Sequence, residues 1–382
     1  MSITKYGIMT EINLFTKGDS NNISTWSNVP FLFAKALEKK GYVVHKHCIS
    51  SPHWLIRLFN SISIRISHYI FHTNSIFEFH NTWLHRKIID FIIKRSTNKY
   101  PNSKLNIFLT SEYLNKFSSQ PNILFCDWSH RMYVERGRKA YWYERKRLDH
   151  EDKVIKKADA VYTLFPKCKE KMESLYGRKV DYLNRNVINS TFIGRFDIKE
   201  TITNRLKSNS ILFIGNFKYR SGALQLIQSV DELSQEKNNL EIHVIGMTEK
   251  ELGKHENVVC HGYLHKDNEA ERNLYYELLL SCRCLVNPTK GWAGYSSCVE
   301  AMYYGCPIII SPYDDFTAEF GDIISFGYYC DENNLKDKIK QMFNSINYPS
   351  MCTAAHMAVK DYTWDNYMDA FIQSLLDKGL LK

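Results

Sequence analysis

The chain has 382 residues, with an apolar share of 44% and a charged share of 24%. That length exceeds one ordinary α/β core, and the composition excludes a chain that is mostly disordered or fibrous. The formal charge of +9 is local: between Lys35 and Lys116 there are 13 Lys/Arg against four acids, and the remainder of the chain is balanced.

In chain order the pattern is strand, loop, helix, repeated, which argues for parallel sheets covered by helices. Tyr6–Met9 and Tyr42–Val44 read as strands, with a helix at Val29–Lys40 between them ending at Gly41. Leu105–Leu109 and Asn122–Phe125 read as later strands, followed by a helix at Tyr141–Lys157 and a strand at Ala160–Leu164. Lys199–Asn209 is polar and reads as a linker. The second half starts afresh with strand Ser210–Gly215, helix Ala223–Ser234 and strand Leu240–Gly246. Short strands at Val258–Cys260 and Arg283–Val286 precede a helix at Ser297–Tyr304 and a strand at Pro307–Ser311. The expectation is two doubly wound units in series.

The basic stretch has its own pattern. Trp54, Leu55, Leu58, Phe59, Ile62, Ile66, Tyr69 and Ile70 recur at helical spacing, with Arg57, Ser61, Arg65, His68 and His72 on another face. Trp83–Arg95 is a second basic and apolar stretch. One reading is a helix pair lying on anionic lipid. The other is a pair of core-facing helices with solvated basic residues outside. No zinc-finger, basic-region or RNA-stacking motif accompanies the charge, so nucleic acid is not expected as a partner.

The ten cysteines show no C-x-x-C pair, so reduced, buried thiols are expected rather than a metal site. Met1–Phe15 lacks a basic stretch followed by an apolar core, and no run of about 18 apolar residues occurs. A cytoplasmic protein, peripheral on the inner face of the membrane in the lipid-binding reading, is the expectation.

Ligands of open α/β sheets bind beyond the carboxyl ends of strands. Gly215–Gly222 follows a strand and brackets Asn216, Lys218 and Arg220, a fit to a diphosphate cradle or to a plain turn with exposed charges. Asn287–Met302 offers Lys290, two glycines, Tyr295, Ser296 and Ser297 at a helix start, and Glu300. Glu300 reads either as a ribose ligand, with the Tyr295, Ser296 and Ser297 amides on phosphate, or as the second half of a Ser297-x-x-Glu300 capping box. In the first half, Asp127 and His130 follow strand Asn122–Phe125 and are candidates to orient an acceptor hydroxyl or the donor sugar; Asp127 as a local cap is the alternative. Glu11 and Asn13, placed after the first strand, are weaker candidates. Glu144, Arg145 and Glu151 read as a solvated helix face.

These residues carry a resemblance. The Gly215–Gly222 loop, Val244-Ile245-Gly246, Asn257-Val258 with Gly262-Tyr263, Leu285–Pro288, and Val299–Ile309 resemble the group 1 (family 4-like) glycosyltransferases of the GT-B fold. Gly18, Ala158–Tyr162 and Asn186–Asn189 fit the family's order more loosely, and Tyr362–Asp365 with a final helix is similar to its ending. The resemblance implies two Rossmann-like α/β domains facing a cleft: an acceptor-side domain over 1–203 with the basic helical segment at about 54–99, a nucleotide-sugar domain over 204–360, and a helix over 361–382 returning to the first domain. It implies a nucleotide-sugar donor, a glycan or lipid-linked acceptor in surface polysaccharide or lipopolysaccharide synthesis, retention at the anomeric carbon, and no cofactor or obligatory metal. Donor contacts would fall on Gly18, Gly215, Asn216, Lys218, Arg220, Gly246, Tyr263, Lys290, Tyr295, Ser296, Ser297 and Glu300. The sequence departs from the family at Trp292, where the first of two motif acids is expected, and at Asn216 and Ser221, where the family has arginine and lysine. A nucleotide-sugar epimerase on the same fold, or a donor-binding subunit without catalysis, is the alternative.

Overall fold

A computed structural model describes residues 10–70, 72, 77–192, 196–234, 239–291 and 294–381. The chain forms two compact units, one from Met1–Arg185 with Tyr367–Lys382, the other from Asn186–Asn366.

The first unit is built from β1 (Glu11–Thr16), α1 (Val29–Lys39), β2 (Val43–Cys48), α2 (His53–Tyr69), α3 (Trp83–Lys99), β3 (Leu105–Leu109), β4 (Asn122–Phe125), α4 (His130–Glu135), α5 (Trp142–Lys157), β5 (Ala160–Tyr162) and α6 (Pro166–Tyr176). Its described strands are parallel in the order β2-β1-β3-β4-β5. The strand expected at Tyr6–Met9 lies outside the described residues. The observed β1 places Glu11 and Asn13 inside a strand rather than after it. Asn13 is buried there and donates to Asn106 across the sheet at 3.2 Å.

The second unit comprises α7 (Ile198–Leu206), β6 (Ser210–Ile214), α8 (Arg220–Ser234), β7 (Glu241–Ile245), α9 (Glu249–Leu252), β8 (Val258–Gly262), α10 (Glu269–Ser281), β9 (Cys284–Asn287), α11 (Tyr295–Tyr303), β10 (Ile308–Ile310), α12 (Asp314–Phe320), β11 (Gly327–Tyr329), α13 (Leu335–Phe343) and α14 (Tyr348–Val359). The described strands run β11-β10-β9-β6-β7-β8, all parallel. Phe213, Val244, Val286 and Ile309, one from each central strand, pack with Leu226 and Val230 of α8 and Ile339 of α13 in one core. The short apolar runs of the sequence are strands because both faces of a parallel sheet are covered.

The stretch expected as a linker, Lys199–Asn209, is mostly α7. Asp197 caps it, accepting from the Lys199 and Glu200 amides. Its Arg205 is fully buried and donates to the carbonyls of Cys282, Leu279 and Tyr304 at the ends of α10 and α11. A guanidinium has five donors and suits the unpaired carbonyls of helix ends.

The last helix, α15 (Trp364–Asp377), packs with the first unit through Phe371, whose ring lies 5.5 Å from Phe33 and 4.8 Å from Tyr162. Tyr162 and Ser374 hydrogen-bond at 2.8 Å.

Candidate functional site

In the second unit the chain turns back at β6. From there β7 and β8 extend the sheet one way, and β9, β10 and β11 the other. Such a switch point opens a crevice between two loops, here those after β6 and after β9. The two loops meet. A Cβ added at Gly222, in the first turn of α8, would strike the Thr289 hydroxyl and come within 2.8 Å of the Thr289 nitrogen. A Cβ at Gly294 would lie 3.3 Å from Asn287 Nδ2 and 3.8 Å from the Ile214 carbonyl. Gly246, after β7, has φ +101°, and a Cβ there would sit 2.6 Å from the Gly215 carbonyl. The glycines of the motif are therefore contact glycines: they let three strand-end loops close on one another.

Two polar groups at this crossing are buried without a hydrogen-bond partner among the described residues, Asn287 Nδ2 and Thr289 Oγ1. Both can donate to a polar group seated at the crossing. Beside them α11 begins. Gly294, in the left-handed region, is its N-cap, and Ser297 Oγ donates back to the Gly294 carbonyl at 2.7 Å. The amides of Tyr295, Ser296 and Ser297 form the first turn, where a helix offers no internal acceptor. The capping box expected for Ser297 and Glu300 does not form, because the helix starts two residues before Ser297.

Glu300 instead turns inward and is buried. Tyr275 donates to its Oε2 at 2.8 Å, and Lys266 Nζ stands 3.3 Å from both oxygens while lying 4.0 Å over the Tyr275 ring. Burial and the adjacent Glu300 charge push the Tyr275 phenol well above its ordinary pKa, so it stays a donor. The Oε1 atom keeps acceptor capacity for a further hydroxyl. Lys266 lies four residues beyond β8 and belongs to no motif; nothing in the sequence singled it out.

The cations named from sequence are placed differently from one another. Lys218 is exposed, 5.6 Å over the Tyr219 ring, and its amide donates to Asn216 Oδ1 at 3.1 Å. Arg220 Nε donates to the Glu251 carbonyl at 2.6 Å, tying the loop to α9. Lys290 is exposed and paired with Glu332 at 2.8 Å. Tyr295 sends its ring into an aromatic cluster with Phe316, so only its backbone serves the helix start. Ser296 Oγ accepts from Asn189 at 3.2 Å, and Tyr263 is exposed beyond β8. Trp292 lies outside the described residues.

The first unit has its own switch point, between β1 and β3. Lys17 follows β1, Glu112 follows β3, and the two are ion-paired. Arg147 of α5 donates to both oxygens of Glu112, Nη2 at 2.9 Å and Nε at 3.0 Å. Burial would raise the Glu112 pKa, but the two cations hold it well below the carboxylate range. Gly18, next to Lys17, has φ +100°. The sequence reading missed Lys17, Glu112 and Arg147. The first two lie at strand ends, where a search is warranted, but Arg147 sits mid-helix with no local signal.

His130 opens α4. Its amide donates to Glu151 at 2.7 Å, the next amide donates to the same carboxylate at 2.8 Å, and Ser111 also donates to it. Burial, then Arg147, lowers the His130 pKa to about 4, so its ring is neutral at pH 7. Burial raises Glu151 to about 7. Glu144 is likewise buried and paired with Arg138, so this helix face is not solvated as expected; Arg145 alone of the three is exposed. Asp127 does not cap α4, since Ser129 does, accepting from Met132 at 3.2 Å. Its carboxyl is raised to about 7 by burial, and Oδ1 has no hydrogen-bond partner among the described residues. No described hydrogen bond joins Asp127 to His130.

Residues 208–345 match the family described as "Glycosyl transferases group 1", a span that holds both glycine loops, Gly246, Lys266 and Glu300. No curated protein sequence matches the chain. Among solved structures it is similar to sucrose-phosphate synthase from Thermosynechococcus elongatus (TM-score 0.65, 15% identity, 97% of this chain and 99% of that one). It is similar to WaaG, a glycosyltransferase involved in lipopolysaccharide biosynthesis (TM-score 0.61, 13% identity, 95% and 99%). It also resembles Anabaena HepE in complex with UDP-glucose (TM-score 0.60, 13% identity, 95% and 99%). The family match lies within the second unit, and the likeness to these solved structures shows that the chain has their fold, the two-unit GT-B architecture.

Proposed function

We propose that the chain moves a sugar from a nucleotide-sugar donor, bound by the second unit, to a glycan or lipid-linked acceptor bound by the first. The reaction retains anomeric configuration and builds surface polysaccharide or lipopolysaccharide at the inner face of a membrane. The observation that carries this is the crossing of the loops after β6 and β9, where Asn287 Nδ2 and Thr289 Oγ1 are buried and unpartnered beside the first turn of α11. The similarity to HepE, solved with UDP-glucose, and to WaaG, involved in lipopolysaccharide biosynthesis, supports the choice of donor and product class.

The chemistry follows from where charge develops. Breaking the sugar–phosphate bond leaves a diphosphate with extra negative charge, and fixed donors aimed at it lower the barrier. The amides of α11, the Asn287 and Thr289 donors, and Lys218 and Arg220 supply them, with no metal or cofactor required in this reading. Glu300 Oε1 accepts from a ribose hydroxyl while Lys266 and Tyr275 hold the carboxylate in place. On the acceptor side, neutral His130 orients a hydroxyl and Asp127 supports that loop.

The test is release of nucleoside diphosphate from a panel of nucleotide sugars, with product analysis. The Lys218→Ala/Arg220→Ala double variant, checked for an unchanged melting temperature, should lose at least about a hundredfold in rate, the scale of losing positioned charge stabilisers. Wild-type rates in that variant would remove the assigned loop from the mechanism. Conversion of the donor with no acceptor present would instead favour an epimerase.

A further inference from the structure

Helix α2 is inside out. Its buried residues are Ser63 and Ser67, each 8% exposed. Most of its large apolar residues face outward: Trp54 is 66% exposed, Leu58 54%, Ile62 49% and Tyr69 73%, while Leu55, Ile56 and Phe59 are half-buried. At about 100° per residue, Ile56, Asn60, Ser63 and Ser67 form one stripe, and Trp54, Leu58, Ile62 and Tyr69 form the opposite one. The inner stripe is anchored by polar contacts, with Phe59 packing at its edge: Ser63 donates to the Phe77 carbonyl at 2.8 Å, Asn60 accepts from the Phe79 amide at 2.9 Å, and the Phe59 ring lies 5.4 Å from Phe79. This overturns the core-facing reading of the pattern, under which the apolar stripe would be buried. The companion helix α3 is ordinary, burying Ile89 and Ile93.

An outward stripe of large apolar residues needs an occupant, and the charge around it selects one. The α2 sequence contains Arg57 and Arg65 and no acid, and α3 has Asp90 as its single acid, already paired with Lys116 at 2.5 Å. A second copy of the chain would set like charges against each other. Nucleic acid would satisfy the arginines but leave the apolar stripe in water. An anionic lipid surface satisfies both, with headgroups for Arg57 and Arg65 and acyl chains for Trp54, Leu58 and Ile62.

We propose that α2 is an interfacial helix, lying in the plane of an anionic membrane with the Trp54–Leu58–Ile62 stripe sunk into it and its serine stripe docked on the protein. The inference names the element that meets the membrane and the way it lies; it rests on the membrane-face reading above for its setting, and it is tested apart from catalysis. Among the described residues no helix is long and apolar enough to cross a membrane.

The experiment is co-sedimentation of the full chain with phosphatidylcholine vesicles with and without phosphatidylglycerol. The wild type should bind the anionic vesicles, less so at high salt. Trp54→Ser/Leu58→Ser/Ile62→Ser should weaken binding at least about tenfold without lowering the melting temperature, since these side chains are already in water. Arg57→Ser/Arg65→Ser should remove much of the salt dependence. Unchanged vesicle binding in the triple variant would overturn the proposal. So would absence of binding by the wild type, or a wild-type dimer that the triple variant converts to monomer. Nucleoside diphosphate release with a soluble acceptor, measured in parallel, separates the two readings: vesicle binding without release leaves the helix assignment standing and removes the transferase reading.

Discussion

Gly222 and Gly246 show how single residues set the site. Neither position has room for a methyl group: one would meet Thr289, the other the Gly215 carbonyl at 2.6 Å. Gly222→Ala should therefore push the first turn of α8 off the loop after β9. The expected result is at least about tenfold weaker donor binding, read by the nucleotide-induced rise in melting temperature, because a small displacement of positioning groups is costly. Gly246→Ala adds backbone strain at φ +101° and should cost about 1–3 kcal/mol of stability by denaturant titration. Glu112 offers a residue-scale test in the other unit. Its removal in Glu112→Ala leaves Arg147 and Lys17 without their counter-charge, and a broken buried pair costs about 3–5 kcal/mol. Residues of this kind divide cleanly in how readable they were. The glycines stand in loops whose place after a strand is visible from periodicity. Glu112, Arg147 and Lys266 act through partners dozens of residues away, and a single sequence carries no sign of such pairings.

Elements differ in what their own sequence can announce. The strands β3, β4, β6 and β7 were expected within a residue or two, because a strand buried on both faces shows as a short apolar run. Helix α7 was missed, since a nine-residue helix with few apolar positions has no strong period. It is held by tertiary contacts, above all by Arg205. Arg205→Ala should unfold the second unit at lower denaturant, with a loss of about 3 kcal/mol or more, since it strips donors from three buried carbonyls. Arg205→Lys should recover only part of that, because one ammonium cannot span three acceptors as a guanidinium does. Helix α2 is the opposite case. Its period was legible, but periodicity cannot say which side of a helix is the inner one. The neighbours decide that, and here they receive serines.

For the whole molecule, acid titration of the first unit sets opposing groups against each other. Burial lowers His47, His85 and His130 to about 4. The unfolded chain takes up those protons near pH 6.5, the folded chain only near 4, so these histidines cost stability as pH falls from about 6.5 to 4. Asp127 and Glu151, raised by burial to about 7, do the reverse: the folded form is protonated first, and stability rises as pH falls from about 7 to 4. Burial lowers His80 and His150 of the same unit as well, so the groups that cost stability outnumber these two carboxyls and the net effect is a loss on acidification. In urea titrations at pH 7 and pH 5, Asp127→Asn should steepen that loss and His85→Asn should flatten it. The opposite pair of shifts would mean that these side chains are not buried as described.

The sequence by itself determined that this chain builds two parallel α/β units and that glycine-rich loops follow the first strands of the second. Buried parallel strands and turn glycines are local necessities of the backbone, written residue by residue. Only the tertiary structure decided that the loops after β6 and β9 touch, that Glu300 is held by Lys266 rather than by its own helix start, and that α2 presents its apolar side to the outside. Each of these depends on which distant segment lies opposite. That is fixed by the order of strands in a sheet and by the packing of helices upon it, which no local pattern of residues encodes.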